Sequence, residues 1–277
     1  MQPAAKLMPA VLAAAALPAT GQHLDFQLVN DGSGQIKSAL IDRDLQSPQN
    51  PCPVIDDNFR VYSARLDDGS LPHFENFPGF NACLDTFETG STVGFNLVDA
   101  LRRWDGEDFD EVPADETMFV SSGGGDPIFI ETPLDAGGFA PGFGLALIPG
   151  SGSMHTHVQY FLVSSDGEPE PGVYLLTLEV TSTQPDLAPS DPLFIVFADG
   201  VSTEEFEAAE EFAQTLITNA CNPADLAAPF GLLDGADVNA FITAFGSDAA
   251  PADLNGDGVA DGADVNAFIS AFGAGCP

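Results

Sequence analysis

The segment Asp234-Gly-Ala-Asp237-Val-Asn-Ala-Phe241-Ile242 returns as Asp261-Gly-Ala-Asp264-Val-Asn-Ala-Phe268-Ile269. The match runs on into Ala244-Phe245-Gly246 and Ala271-Phe272-Gly273. Such self-similarity marks one small supersecondary unit used twice. Val238, Phe241, Ile242 and Phe245 fall at helical spacing, as do their counterparts, so each copy predicts a short amphipathic helix. The two helices are expected to bury these apolar faces against each other. A core of two short helices needs a further staple to stay folded.

The residues before the second helix supply one. Asp253, Asn255, Asp257, Asp261 and Asp264 place side-chain oxygens at positions 1, 3, 5, 9 and 12 of a loop, with Gly258 at 6 and the Val259 carbonyl at 7. That is the ligand pattern of a calcium loop of EF-hand type, with Asp in place of the longer Glu at the last position. The first copy keeps Asp225, Asp234 and Asp237, but Ala227 and Pro229 stand where oxygen ligands are expected and the loop is one residue longer. It either binds calcium weakly through backbone carbonyls or binds none. From Cys221 to the end the chain has eight Asp and no Lys, Arg or Glu. Calcium is therefore expected to contribute folding energy directly.

Upstream the pattern changes. Period-two alternation predicts strands at 24–30, 59–66, 92–98, 157–164, 173–182 and 193–198. Gly- and Pro-rich stretches at 121–127, 135–144 and 168–172 read as the turns between them. Short strands so punctuated imply a mainly β domain, an antiparallel sandwich or jelly roll, and disfavour an α/β fold. Ser202 then opens a helix: Glu205 completes a capping box, and Phe206, Ala209, Ala213, Leu216 and Ile217 form an apolar stripe. The stripe is expected to pack on the β-domain.

At the other end, Lys6 precedes an apolar, Ala-rich stretch, 7–17, too short to span a bilayer and followed by small residues. It reads as a signal peptide cleaved after Ala19 or Gly21, and the rest of the chain holds no transmembrane segment. The expected organisation is a signal peptide at 1–21, a β-domain at 22–200, a connecting helix at 201–220 and the repeat module at 221–277. The expected location is secreted or cell-surface. In an oxidising compartment the four cysteines imply two disulfides, and only Cys52–Cys83 with Cys221–Cys276 respects the domain boundary.

Seven basic residues against 42 acidic ones give a formal charge of −35, which repels nucleic-acid phosphates and attracts divalent cations. Among the four histidines, His155 and His157 sit two apart, so on one strand both imidazoles point the same way. Their Cα atoms would lie roughly 7 Å apart, within reach of one ion. His23, just after the expected cleavage site, is a further candidate ligand, and imidazoles suit zinc or copper.

Two resemblances add to this reading. Cys221-Asn-Pro-Ala-Asp225-Leu, the paired loop–helix repeat with Asp at the last loop position, and the ending Gly275-Cys276-Pro277 resemble a dockerin of the type found in planctomycete secreted proteins. The resemblance covers about the last fifth of the chain. It implies calcium-dependent docking onto a cohesin-like protein, with Val238 and Asn239 in one copy and Val265 and Asn266 in the other at the contact. It also implies two pseudo-symmetric binding orientations. Phe80-Asn-Ala-Cys83, Gly94-Phe95-Asn-Leu97, Gly172-Val-Tyr-Leu-Leu-Thr-Leu178 and Ser190-Asp-Pro-Leu-Phe-Ile-Val-Phe197 are similar to exported bacterial proteins that elsewhere carry a PEP-CTERM sorting tail. That group has a His near the mature start and a His-x-His on a late strand.

The function expected is an anchored β-domain that holds a transition metal, with no catalytic residues assigned. The alternative is a dockerin-attached polysaccharide-active enzyme. Against it, Trp104 is the only tryptophan, no carboxylate pair is marked by placement, and the acidic run 105–116 reads as a solvated loop. A third reading is a copper oxidase that uses His23 with His155 or His157.

Overall fold

The computed structural model describes residues 25–30, 32–41, 52–56, 58–67, 69, 71–217, 223–226, 233, 235–246, 252, 254 and 259–275. Its strands are β1 (Phe26–Asn30), β2 (Ile36–Ile41), β3 (Val54–Asp56), β4 (Val61–Arg65), β5 (Phe74–Glu75), β6 (Phe80–Ala82), β7 (Thr92–Leu97) and β8 (Arg102–Arg103). Then come β9 (Glu116–Ser121), β10 (Phe129–Glu131), β11 (Ala140–Leu147), β12 (Met154–Thr156), β13 (Gln159–Ser164), β14 (Gly172–Ser182) and β15 (Leu193–Asp199). Three helices follow: α1 (Thr203–Ile217), α2 (Gly235–Gly246) and α3 (Gly262–Ala274). The chain is thus mainly β, and the six strands expected from periodicity are β1, β4, β7, β13, β14 and β15.

The strands form three sheets, ordered β12-β6-β1-β2-β3, β10-β9-β13-β5 and β11-β7-β14-β15-β4, with β8 also paired to β14. Most pairs are antiparallel, as expected. Two are parallel, β1 with β6 and β15 with β4, because the chain returns to each sheet after an excursion through others. One expected turn is corrected: β11 begins at Ala140, inside the Gly-rich stretch 135–144. There the glycines serve pairing rather than turning. A Cβ on Gly142 would collide with the Phe95 carbonyl of the facing strand, so only Gly lets the bulged β11 lie against β7.

A single core lies among the three sheets, built from Phe26, Phe80, Phe95, Tyr160, Tyr174 and Phe197 with smaller aliphatics. The third sheet is covered on its other face as well. Along β14, Tyr174 and Leu176 point into the main core, while Val173 and Leu175 point to the opposite side. In β15, Ile195 and Phe197 divide from Val196 in the same way. Strands buried on both faces read as unbroken apolar runs, which explains Val173–Leu176 and Ile195–Phe197.

The outer face is closed by α1. Ser202 Oγ accepts the Glu205 N–H at 3.2 Å and so caps the helix. Ala209, Ala213 and Ile217, four apart, are buried against Val61, Val173, Leu175 and Val196. The expected packing of this helix on the β-domain is what the structure shows.

The two repeat helices share a separate small core with Phe241 and Phe268 stacked at 4.3 Å. Val238 and Phe245 join it, but Ile242 and its counterpart Ile269 are each 61% exposed, which corrects their expected place on the buried face. Positions 238, 241 and 245 span about 60° of the helix, and 242 lies about 40° beyond 238, at the edge of that face. Among the described residues no helix is long and apolar enough to cross a membrane.

Candidate functional site

Three donor side chains converge where the first sheet meets the second. Asp25 immediately precedes β1, His155 lies in β12, and His157 lies beyond its end, before β13. The first sheet places them: β6 pairs with β1 on one side and β12 on the other, so residues 25 and 155, far apart in the sequence, meet across one strand. The two histidines therefore do not share one strand, as spacing suggested. The chain switches sheets between them, and the turn brings their Nε2 atoms to 2.9 Å. Asp25 Oδ2 is 3.7 Å from His155 Nε2, and the ligand atoms of all three lie within 4.8 Å of one another.

Each group is held by its surroundings. The Gly79 N–H donates to Asp25 Oδ1 at 2.8 Å, leaving Oδ2 toward the histidines. The Asp25 side chain is only 8% exposed, whereas that of His155 is 60% exposed and opens the cluster to solvent. His157 Nδ1 is 3.0 Å from the Asn76 carbonyl oxygen. A carbonyl only accepts, so Nδ1 carries a proton, and in the neutral imidazole Nε2 keeps a lone pair. Phe77 packs edge-on against the imidazole at 4.9 Å. A Cβ on Gly79 would stand 2.6 Å from His157 Nδ1, so the ring occupies space that only glycine leaves open.

Behind the cluster, Tyr160 donates its hydroxyl hydrogen to the Pro78 carbonyl at 2.9 Å. Burial, helped by the nearby Asp25 charge, pushes the Tyr160 phenol well above its ordinary value. The remaining described histidine serves elsewhere: His73 Nδ1 is 2.7 Å from the buried Asp199 carboxylate, and Nε2 is 3.2 Å from Glu168. His23 lies outside the described residues. Spacing did not reveal Asp25 as a third donor.

In the repeat module, Asp253, Asn255, Asp257 and Asp234 lie outside the described residues, as do Cys221 and Cys276. Of the rest, Val259 is exposed, Asp261 is the N-cap of α3, and Asp264 and Asp237 are fully buried. Asp264 Oδ2 accepts the Asp261 N–H at 2.8 Å, and Asp261 Oδ1 accepts the Ala263 N–H at 2.7 Å. Asp237 Oδ1 accepts the Leu226 N–H at 2.8 Å, which brings the buried Asp225 stretch to the start of α2. Asn239 and Asn266 are exposed, while Val238 and Val265 are half-buried against the module's core. Cys52 and Cys83 form a disulfide across 31 residues, as expected.

Trp104, the only tryptophan, is buried against Phe109 and Phe212 beneath α1.

No protein-family model matches this chain, and no curated protein matches it. Among solved structures, the CooA pilin subunit from enterotoxigenic Escherichia coli is similar over 51% of this chain and 91% of that one, at 10% identity and a TM-score of 0.25. A likeness of that size carries no argument about fold or role.

Proposed function

We propose that this is an exported or cell-surface protein that fastens its β-domain to a cohesin-like partner through a calcium-dependent, dockerin-like module at 221–277. The observation that carries this reading is the burial of Asp237 and Asp264, both wholly inaccessible, at equivalent places in a segment without Lys or Arg. Each accepts a backbone N–H, Asp237 from Leu226 and Asp264 from Asp261. A carboxylate withdrawn from water is stabilised by a cation beside it, and a hard divalent ion gathered by Asp253, Asn255, Asp257, Val259, Asp261 and Asp264 would be such a cation. The first loop, with Asp225, Asp234 and Asp237, is the weaker site.

Repeat symmetry supports the partner. Asn239 and Ile242 are exposed on α2, as Asn266 and Ile269 are on α3, so a receptor meets the same surface in either of two orientations. The formed Cys52–Cys83 disulfide supports export, since such bonds persist in oxidising compartments. The β-domain is the cargo, and its Asp–His cluster gives it a place for zinc or copper. The buried Trp104 tells against the polysaccharide-active alternative.

Calorimetric titration of the full chain with calcium tests the anchoring. Uptake is expected, and Asp257→Ala is expected to abolish the tighter site. Chelator is expected to reduce the helical circular dichroism while leaving the β signal. A full chain that takes up no calcium refutes the proposal.

A further inference from the structure

We infer that Asp25, His155 and His157 together form a site for one divalent transition-metal ion of the zinc or copper class. The ligands are Asp25 Oδ2 and the Nε2 atoms of both histidines. This names the ligand set for the metal-holding part of the preceding reading and is independent of the calcium module.

The donor chemistry selects the ion. Two imidazoles and one carboxylate suit zinc or copper, whereas calcium prefers six or more oxygens. The spacing fits as well. Two nitrogens each about 2.05 Å from a metal are about 2.9 Å apart at a right angle and about 3.3 Å apart at a tetrahedral one. The observed 2.9 Å lies at the first of these. At that distance two facing lone pairs repel, so without metal one of the two Nε2 atoms carries a proton; with both rings neutral it is His155 that donates to His157. A cation takes that proton's place, and a neutral His155 then holds its proton on Nδ1.

The surroundings also resemble those of a ligand set. His157 donates Nδ1–H to the Asn76 carbonyl, the second contact that orients a metal-binding imidazole. Asp25 is fixed through Oδ1 by Gly79, which frees Oδ2 for the ion. Its carboxylate is nearly buried and pairs with His155 Nε2 at 3.7 Å. A metal would neutralise that charge. Exposed His155 gives the ion its way in.

The test is zinc titration of the full chain in excess calcium, which keeps the acidic module saturated. The wild type is expected to bind one zinc per chain, and His155→Ala with His157→Ala to bind none. Asp25→Asn keeps an oxygen to accept the Gly79 N–H, so its thermal midpoint is expected to hold while zinc affinity falls at least ten-fold. Copper(II) bound to the wild type is expected to show nitrogen hyperfine coupling that the double variant lacks. No zinc uptake by the wild type, or uptake unchanged in either variant, overturns the assignment. Calcium uptake measured on the same samples separates the two proposals: zinc binding without calcium binding sinks only the anchoring, and the reverse sinks only this site.

Discussion

Raising the pH above 10 should unfold the β-domain before it ionises a single tyrosine in the folded state. The chain has three tyrosines, Tyr62, Tyr160 and Tyr174, and each is at most 3% exposed. Burial raises all three phenols above their ordinary value of about 10. The Ser38 hydroxyl, 2.8 Å from Tyr62, and the Arg103 charge near Tyr174 offset this only in part. Because the folded-state values lie above the unfolded ones, the stabilisation is complete below pH 10 and is lost as pH rises toward the folded values. In that window unfolding releases one proton per tyrosine, so stability falls by about 1.4 kcal/mol per tyrosine per pH unit, about 4 for the three together. A domain stable by about 5–10 kcal/mol at neutral pH is then exhausted roughly 1–2.5 units above pH 10. Absorbance at the phenolate band and near-ultraviolet circular dichroism, followed on one sample, provide the assay. The two are expected to change together in one steep, cooperative step. A gradual, reversible phenolate signal centred near pH 10, with the tertiary signal intact, would refute the reasoning.

Replacing both Cys52 and Cys83 with Ala opens a loop of 31 residues and is expected to cost about 3–4 kcal/mol, read as a fall in the thermal midpoint; a loss under about 1 kcal/mol would show that the crosslink does little. Ala213→Asp would bury a carboxylate between α1 and the third sheet, at a cost of several kcal/mol. Since Trp104 touches Phe212 on that helix and is the only tryptophan, its emission is expected to shift to the red as α1 lifts; an unshifted spectrum would mean that the helix does not seal this face.

Much of the architecture was legible along the chain because it depends on local periodicity. The six strands recovered at 26–30, 61–65, 92–97, 159–164, 172–182 and 193–199 are those whose apolar residues alternate or run unbroken. The short strands escaped notice: β5 and β8 have two residues each, too few to carry a period. In 135–144 the turn-forming composition was real, but Gly142 is there for close approach to Phe95. A glycine's sequence cannot say whether it bends the backbone or admits a neighbour.

By itself the sequence determined the β-rich class, the helix that begins after Ser202, the twin repeat helices and the pairing of Cys52 with Cys83. Each of these follows from residues close in the chain or from a boundary visible in composition. Only the tertiary structure decided that Asp25 meets His155 and His157, that His157 donates to the Asn76 carbonyl, and that Ile242 faces solvent. Those outcomes depend on strand order and on how one face is rotated against another. Both are set by the packing of the whole core, and no short window of residues contains that information.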